Sequence, residues 1–409
     1  MAILSSRSLL YIDICFSVLI LLNATYTEID WVAYMQEVQG FLGGELTYTN
    51  LKGDTGPLVY PAGFVYVYSA LYYVTAQGIN VLLAQWLFLA LYLVTLCIVL
   101  RLYQLCRVPL LFSVTLILSK RIHSLYLLRL FNDCVAMALC YMSVLSFSRT
   151  KWVVGSVLYS LGVSIKMNVL LFSPGLLTVF LCFLPLPNVL MNLAVCFAVQ
   201  VVLAAPFIAQ DAGAYMSKAF EFGRVFTFQW SVNYQFLPEE IFTSKIFGGA
   251  LLLANIMCWL LLAGIRWVPR LRRAARRAGT PRHDITAAAI ILTLFESNVV
   301  GVIFARSLHY QFYVWFFHQL PFLIYFHSPL LHHEDSVAAP EISSKNNPNI
   351  DVIVKHHRKL LAMVLSVAFV AVVEVTFNVY PPTALSSAVL MLSLMALLVM
   401  IFCKEQVGQ

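Results

Sequence analysis

Four carboxylates, Glu28, Asp30, Glu37 and Asp54, crowd into the two segments TEIDWVAYMQEV and NLKGDTGPLVYPAGFVY, in a chain of 409 residues with only 11% charged. An acid held beside long apolar runs is costly unless it serves a function. Three further clusters mix cations with amides, an acid or a histidine: Arg129-Leu130-Phe131-Asn132-Asp133, Lys166-Met167-Asn168 and Arg306-Ser307-Leu308-His309-Tyr310-Gln311. Carboxylates and cations at one membrane face suit group transfer from a lipid phosphate. The carboxylate takes a proton from an acceptor hydroxyl while cations stabilise the phosphate that leaves.

Spacing narrows the candidates without deciding among them. Glu28 and Asp30 stand at i, i+2, which puts them on one side of an extended segment but roughly 200° apart on a helix. Asp30 and Glu37 share a helical face instead, so which pair converges stays open. Asp30 is the first candidate for the base and Glu28 its rival, while Glu37 is expected to cap a helix or pair with Lys52. In GDTGPLVYPAG, the residues Gly53, Gly56 and Pro57 predict a tight loop that presents Asp54, with Tyr60 as a neighbouring substrate contact. Arg129 and Asp133, at i, i+4, are suited to pair with each other at a helix start, beside Asn132. Lys166, alone in an apolar stretch before Asn168, calls for a phosphate or a carboxylate partner. Arg306, His309 and Tyr310 fall on or beside one helical face. Arg224 and Trp230 sit in an aromatic-rich stretch that suits gripping a lipid or sugar, or simply closing a loop.

The elements that must position these groups are membrane helices. Hydrophobic residues make up 61% of the chain and mean hydropathy is +0.84, whereas soluble domains carry about 25% charged residues. Apolar runs of about 20 residues recur end to end, so the fold class is an all-α polytopic membrane protein, not a barrel of short alternating strands. Twelve spans are expected, near 9–25, 81–102, 109–122, 131–148, 152–165, 169–184, 188–208, 246–265, 285–304, 310–326, 360–378 and 384–402. Counting Lys and Arg by side gives 17 against 9, which places both termini in the cytosol. That topology needs 57–80 not to cross, and its density of tyrosines suits a helix lying in the interface. The expected organisation is a single domain, 1–409. Loops 26–80 and 209–245 lie on the non-cytosolic side, and a basic loop 266–284 and a linker 327–358 on the other.

Composition excludes other classes. The net charge of +7 concentrates between Arg266 and His283, as expected of a cytosolic anchor touching anionic lipid. Nucleic acid is not an expected partner, because aromatic residues do not interleave with that basic run. The nine cysteines show no CxxC or Cys/His zinc spacing and read as small core residues. A transporter of lipid-linked sugars would place polar groups at mid-membrane and show inverted repeats, and neither pattern is visible.

At the level of motifs, TEIDWVAYMQEV, GDTGPLVYPAGFVY, RLFND, SIKMNVLLFSPG, WSVNYQFLPEE and RSLHYQFYVWFFHQLP occur in order between Thr27 and Pro321, within a similarity that runs from about Thr27 to Pro382. Together they resemble the dolichyl-phosphate-mannose-dependent α-1,3-mannosyltransferases of the endoplasmic reticulum, in the asparagine-linked glycosylation pathway. The resemblance implies a GT-C bundle with a luminal active site and residence in the endoplasmic reticulum membrane. It also implies a donor, dolichyl phosphate mannose, and an acceptor, a pentamannosyl chitobiose on dolichyl diphosphate, joined through an α-1,3 bond with inversion. An essential acid in the first luminal loop falls on Asp30, with Glu28 as the rival. No cofactor is obligatory and no divalent metal is expected, because a monophosphate leaving group needs less neutralisation than a nucleotide diphosphate. Another lipid-linked acceptor or another linkage is the alternative within this class.

Overall fold

The computed structural model describes residues 5–221, 227–277, 283–328 and 348–403. Arg224, residues 278–282 of the basic loop and residues 329–347 of the 327–358 linker lie outside them. The chain is an all-α polytopic membrane protein. Its one sheet among the described residues is a two-residue hairpin, Lys52–Gly53 against Gly56–Pro57. Helices dominate because backbone in an apolar medium must satisfy its own hydrogen bonds.

Seven described helical segments are long and apolar enough to cross a membrane: Ser6–Asn23, Val81–Leu105, Leu186–Ala219, Lys245–Arg276, Ile285–Ile303, Leu360–Asn378 and Ala384–Cys403. An eighth is added if the bent pair Leu110–Ile117 and Lys120–Leu128 is one span. The segments expected at 131–148, 152–165 and 169–184 form the shorter apolar helices Asn132–Ser148, Trp152–Ile165 and Met167–Phe183. These fall below the roughly 20 residues that crossing requires. The expected span 310–326 is instead broken into two 3-10 turns, Tyr310–Trp315 and Phe317–Gln319, and a short helix, Leu320–His327, with Pro321 in its first turn. The helix within 57–80, Ala62–Val74, has 13 residues and is too short to span. Its tyrosines are divided: Tyr68 and Tyr72 are buried, while Tyr73 is 68% exposed. Tyrosine density there reflects internal packing as much as an exposed surface.

The chain separates into two compact units. The first comprises Met1–Leu102, Ser119–Phe226 and Gln311–Trp315. Within it, the Trp31–Leu42 helix buries Trp31, Tyr34, Met35 and Val38, the i, i+3, i+4, i+7 stripe of a helix with one apolar face. The Trp31 indole N–H donates to the Gly78 carbonyl at 3.0 Å, which ties the start of this helix to the turn that follows Ala62–Val74. The hairpin packs on the same helix, and a Cβ at Gly53 would lie 2.5 Å from the Ala33 carbonyl oxygen, so only glycine fits. The helices Asn132–Ser148 and Trp152–Ile165 form a close pair joined through Thr150 at φ 56°. Trp152–Ile165 is held to Leu186–Ala219 by small polar contacts: Ser156 Oγ to Asn192 Oδ1 at 2.9 Å and Ser160 Oγ to the Cys196 carbonyl at 2.6 Å. Such contacts join helices where no hydrophobic difference drives association. Leu186–Ala219 runs past the expected end at 208, broken at Asp211, so the loop expected from 209 begins as helix.

The second unit comprises Tyr103–Leu118, Thr227–Tyr310 and Phe316–Gln409. Its centre is the Ile285–Ile303 segment, nearly all of whose residues are buried. From it Glu296 receives both Arg270 nitrogens, at 2.9 and 2.5 Å, and the Trp267 indole N–H at 2.7 Å. His327 Nε2 lies 2.8 Å from the same carboxylate. All four side chains are buried. A carboxylate removed from water needs this number of partners.

Candidate active site

Asp30 occupies the N-cap position of the Trp31–Leu42 helix, yet its side chain makes no capping bond. That duty falls to Glu28, whose Oε1 accepts the Val32 N–H at 3.0 Å and whose Oε2 accepts the Tyr26 hydroxyl. The i, i+2 rivals are thereby separated: Glu28 is exposed and engaged by its own segment, while the half-buried Asp30 carboxylate turns toward the body of the first unit. There Tyr34, one helical turn on, donates its hydroxyl to Asp30 Oδ2 at 3.3 Å.

Three other segments meet at this point. Leu130 adopts φ 54°, a left-handed conformation costing about 1–2 kcal/mol for a residue with a Cβ. The Tyr68 hydroxyl holds its carbonyl at 3.2 Å. This sharp turn starts the next helix at Asn132, so that Asn132 and Asp133, both fully buried, face the site from its first turn. Lys166 follows the Trp152–Ile165 helix as an extended residue, φ −157° and ψ 133°, before the Met167–Phe172 turn. The break aims its ammonium at Asp133 Oδ2, 2.7 Å away, and at Asn132 Oδ1, 3.1 Å away. Trp315 closes the group by donating its indole N–H to Asp133 Oδ1 at 2.5 Å. The Lys166 ammonium also lies 5.2 Å from the Tyr60 ring centre and 5.5 Å from that of Phe312.

The electrostatics follow from this geometry. Burial pushes the Asp30 carboxyl above the usual carboxylate range, and the negative charges of Asp133 and Glu28 push the same way. Lys166 and the Tyr34 hydroxyl oppose the rise by favouring the anion. Burial also holds the Tyr34 phenol well above its ordinary value, so it stays a donor. The result is a carboxylate that is partly desolvated, weakly hydrogen-bonded and lined on one side by an ion pair. Such a group can accept a proton.

The structure thus brings together Asp30, Tyr60, Asn132, Asp133 and Lys166, with Glu28 at the edge. Asp133 does not pair with Arg129, as i, i+4 spacing suggested; Lys166 takes it, and Arg129 donates to Ser124 Oγ. The carboxylate alternative for Lys166 is the one realised. Asn168 donates to Met137 Sδ at 3.4 Å, and Asp54 lies on the exposed hairpin turn, its N–H donating to Gln36 Oε1 at 2.7 Å. Glu37 is buried within its helix. The remaining candidates belong to the second unit. There Arg306 donates to the Thr243 carbonyl and Tyr310 to the Val379 carbonyl, at 2.8 and 2.7 Å, and Trp230 stacks on Tyr380. His309 also lies in that unit. Tyr34 and Trp315 were not among the sequence candidates. Tyrosine four residues after a candidate acid was a legible signal for the first, whereas nothing in the sequence pairs position 315 with 133. Among the described residues no group of three or more His, Cys, Asp or Glu side chains is placed to hold a metal ion.

Comparison with known proteins gives this geometry a context. Residues 7–343 match the family described as "ALG3 protein". A human protein named Dol-P-Man:Man(5)GlcNAc(2)-PP-Dol alpha-1,3-mannosyltransferase is 42% identical over 376 residues, covering 90% of this chain and 79% of its own length. An Arabidopsis thaliana protein of the same name is 43% identical over 342 residues, 78% of this chain and 76% of its own. A Dictyostelium discoideum protein, named as a probable enzyme of that kind, is 34% identical over 442 residues, 99% of this chain and 92% of its own. No solved structure matches the chain. With the family match covering most of its length and such relatives aligned along it, the chain belongs to the ALG3 protein family.

Proposed function

We propose that this protein transfers mannose from dolichyl phosphate mannose to Man5GlcNAc2-PP-dolichol in α-1,3 linkage, the reaction for which its relatives are named. The setting is the endoplasmic reticulum membrane, with Asp30 on the luminal side and both termini in the cytosol. In this reading Asp30 takes the proton of the acceptor 3-hydroxyl. The freed oxygen attacks C1 of the β-linked donor mannose, the bond from C1 to the phosphate oxygen breaks with its electron pair, and dolichyl phosphate leaves. The anomeric centre inverts. The observation that supports Asp30 over Glu28 is the division of labour at the helix start: Glu28 caps, and Asp30 is left with one long hydrogen bond. Lys166 is already neutralised by Asp133, which leaves Arg129 as the cation of the first unit for the departing phosphate. No divalent ion is required in this scheme, and full activity in excess chelator is expected.

The test is direct. Purified protein is given synthetic dolichyl phosphate mannose and a panel of lipid-linked oligomannose acceptors, and product linkage is read with linkage-specific mannosidases. Transfer confined to the pentamannosyl acceptor, with an α-1,3 product, supports the reading; a different acceptor or bond sinks it. Asp30→Asn, normally expressed, should abolish transfer.

A further inference from the structure

Resting on the reading of Asp30 as the base, we propose that Tyr34 and Lys166 are positioning residues for its carboxylate, locked in place by Asn132, Asp133 and Trp315. Together they set the pH at which Asp30 is ready to receive the acceptor proton.

The geometry is a chain of single contacts ending on the candidate base. Trp315 holds one oxygen of Asp133 and Lys166 the other, at 2.5 and 2.7 Å. Lys166 also reaches Asn132 Oδ1 at 3.1 Å. An ammonium offers only donors, so it fixes the Asn132 amide with its oxygen toward the site. That oxygen lies 3.4 Å from the Tyr34 hydroxyl, which in turn lies 3.3 Å from Asp30 Oδ2. Tyr34 therefore has one hydrogen and two nearly equidistant acceptors. Its ring cannot drift: it is 2% exposed and meets Tyr60, Phe64 and Tyr68 edge-on, with centres 5.9, 5.2 and 4.8 Å away.

This arrangement has two states that need no movement of heavy atoms. While Asp30 is an anion, the phenol hydrogen points to Oδ2 and stabilises the charge. Once Asp30 has taken the acceptor proton, the phenol hydrogen swings to Asn132 Oδ1 and releases the new carboxylic acid. Tyr34 keeps its own hydrogen throughout; the bond broken is the acceptor O–H and the bond formed is O–H on Asp30. The charged and titratable groups facing Asp30 are Glu28 and Tyr26 from its own segment, Tyr34 from the helix it opens, Asp133 and Lys166 from the neighbouring helices, and Tyr60 and Tyr68 from the Ala62–Val74 region. Lys166 is the one cation among them, and its pull on Asp30 exceeds the push of Asp133. Removing the Tyr34 hydroxyl or the Lys166 charge should therefore make Asp30 harder to ionise.

The experiment is the pH dependence of transfer at saturating donor and acceptor. Tyr34→Phe keeps the ring and its packing. It should move the acid limb to higher pH by up to about one unit, lower kcat below neutrality and leave KM for dolichyl phosphate mannose unchanged. A limb that superimposes on the wild type, with only a lower unfolding temperature, reduces Tyr34 to packing and overturns the proposal. If Tyr34→Phe does not accumulate, the double variant Lys166→Met/Asp133→Asn removes the ion pair without stranding either charge. Its limb should shift in the same direction and that of Lys166→Arg should not; an unshifted limb in the double variant is equally fatal. Asp30→Asn separates the two levels. Activity in that variant defeats the reading of Asp30 itself, whereas an inactive Asp30→Asn beside an unshifted Tyr34→Phe defeats only the positioning network.

Discussion

At the scale of single residues, Glu28 and Asp30 show how two acids, two positions apart, take different duties. A helix start leaves backbone N–H groups unpaired, and Glu28 covers that of Val32. An amide oxygen can do the same. Glu28→Gln is thus expected to retain most transfer activity and to cost about 1 kcal/mol or less of stability, measured by the transfer assay and thermal unfolding of the same preparation. A dead Glu28→Gln would exchange the two roles. Asp30 also carries a pH signature. A base must be ionised, and burial raises its carboxyl above the usual range. Activity should therefore fall, as pH decreases, at a higher pH than an exposed aspartate would give. A rate that stays level down to the ordinary carboxylate range would contradict the assignment.

At the scale of elements, the position of Lys166 depends on how closely two helices approach. A Cβ at Gly63 would lie 2.0 Å from Ser164 Oγ and 3.0 Å from the Ser164 carbonyl oxygen, two residues before Lys166. Gly63→Ala must push Ala62–Val74 away from Trp152–Ile165. Overpacking of this kind costs about 1–3 kcal/mol, and because Lys166 moves with its helix, turnover should fall by more than the unfolding temperature alone explains. Comparison of kcat with melting temperature across Gly63→Ala and Ser156→Ala checks this. Ser156 lies near the other end of the same helix and donates one hydrogen bond to Asn192. A contact of that type contributes about 0.6 kcal/mol, so Ser156→Ala should leave turnover close to normal.

At the scale of the whole molecule, the second unit is secured from within by Glu296 and its partners Arg270, Trp267 and His327. Removing one member leaves a buried charge uncompensated, at about 3–5 kcal/mol. Glu296→Gln should therefore lower the yield of folded protein and its unfolding temperature in detergent. Unchanged stability would show that water reaches the network. The proposed orientation has its own test. Thr55 sits in the exposed turn of the 52–57 hairpin, so Thr55→Cys should react with a membrane-impermeant thiol reagent only when the luminal face of sealed microsomes is opened. Labelling from the cytosolic face would invert the topology.

Hydropathy alone establishes the all-helical membrane class, because apolar runs of this length admit few other solutions in a bilayer. It also places the ends of Trp152–Ile165 and Ala384–Cys403 within a residue or two of the boundaries read from the sequence, whereas the helix expected at 360–378 already begins at Pro348, within the stretch 327–358 read as a linker. The same rule expects one continuous helix at 310–326, where bulky aromatics and Pro321 yield two 3-10 turns and a short helix. Around Asp30, residue types and local spacing mark the acid, the amide and the lysine as unusual, since each is an expensive polar group in apolar surroundings. Partners are a different matter. Asp133 has Arg129 four residues away and still pairs with Lys166, while its other oxygen belongs to a tryptophan 182 positions along the chain. Charge and periodicity act over a few residues. Which distant side chain reaches a buried carboxylate is decided by the turn at Leu130, the break at Lys166 and the packing that holds both.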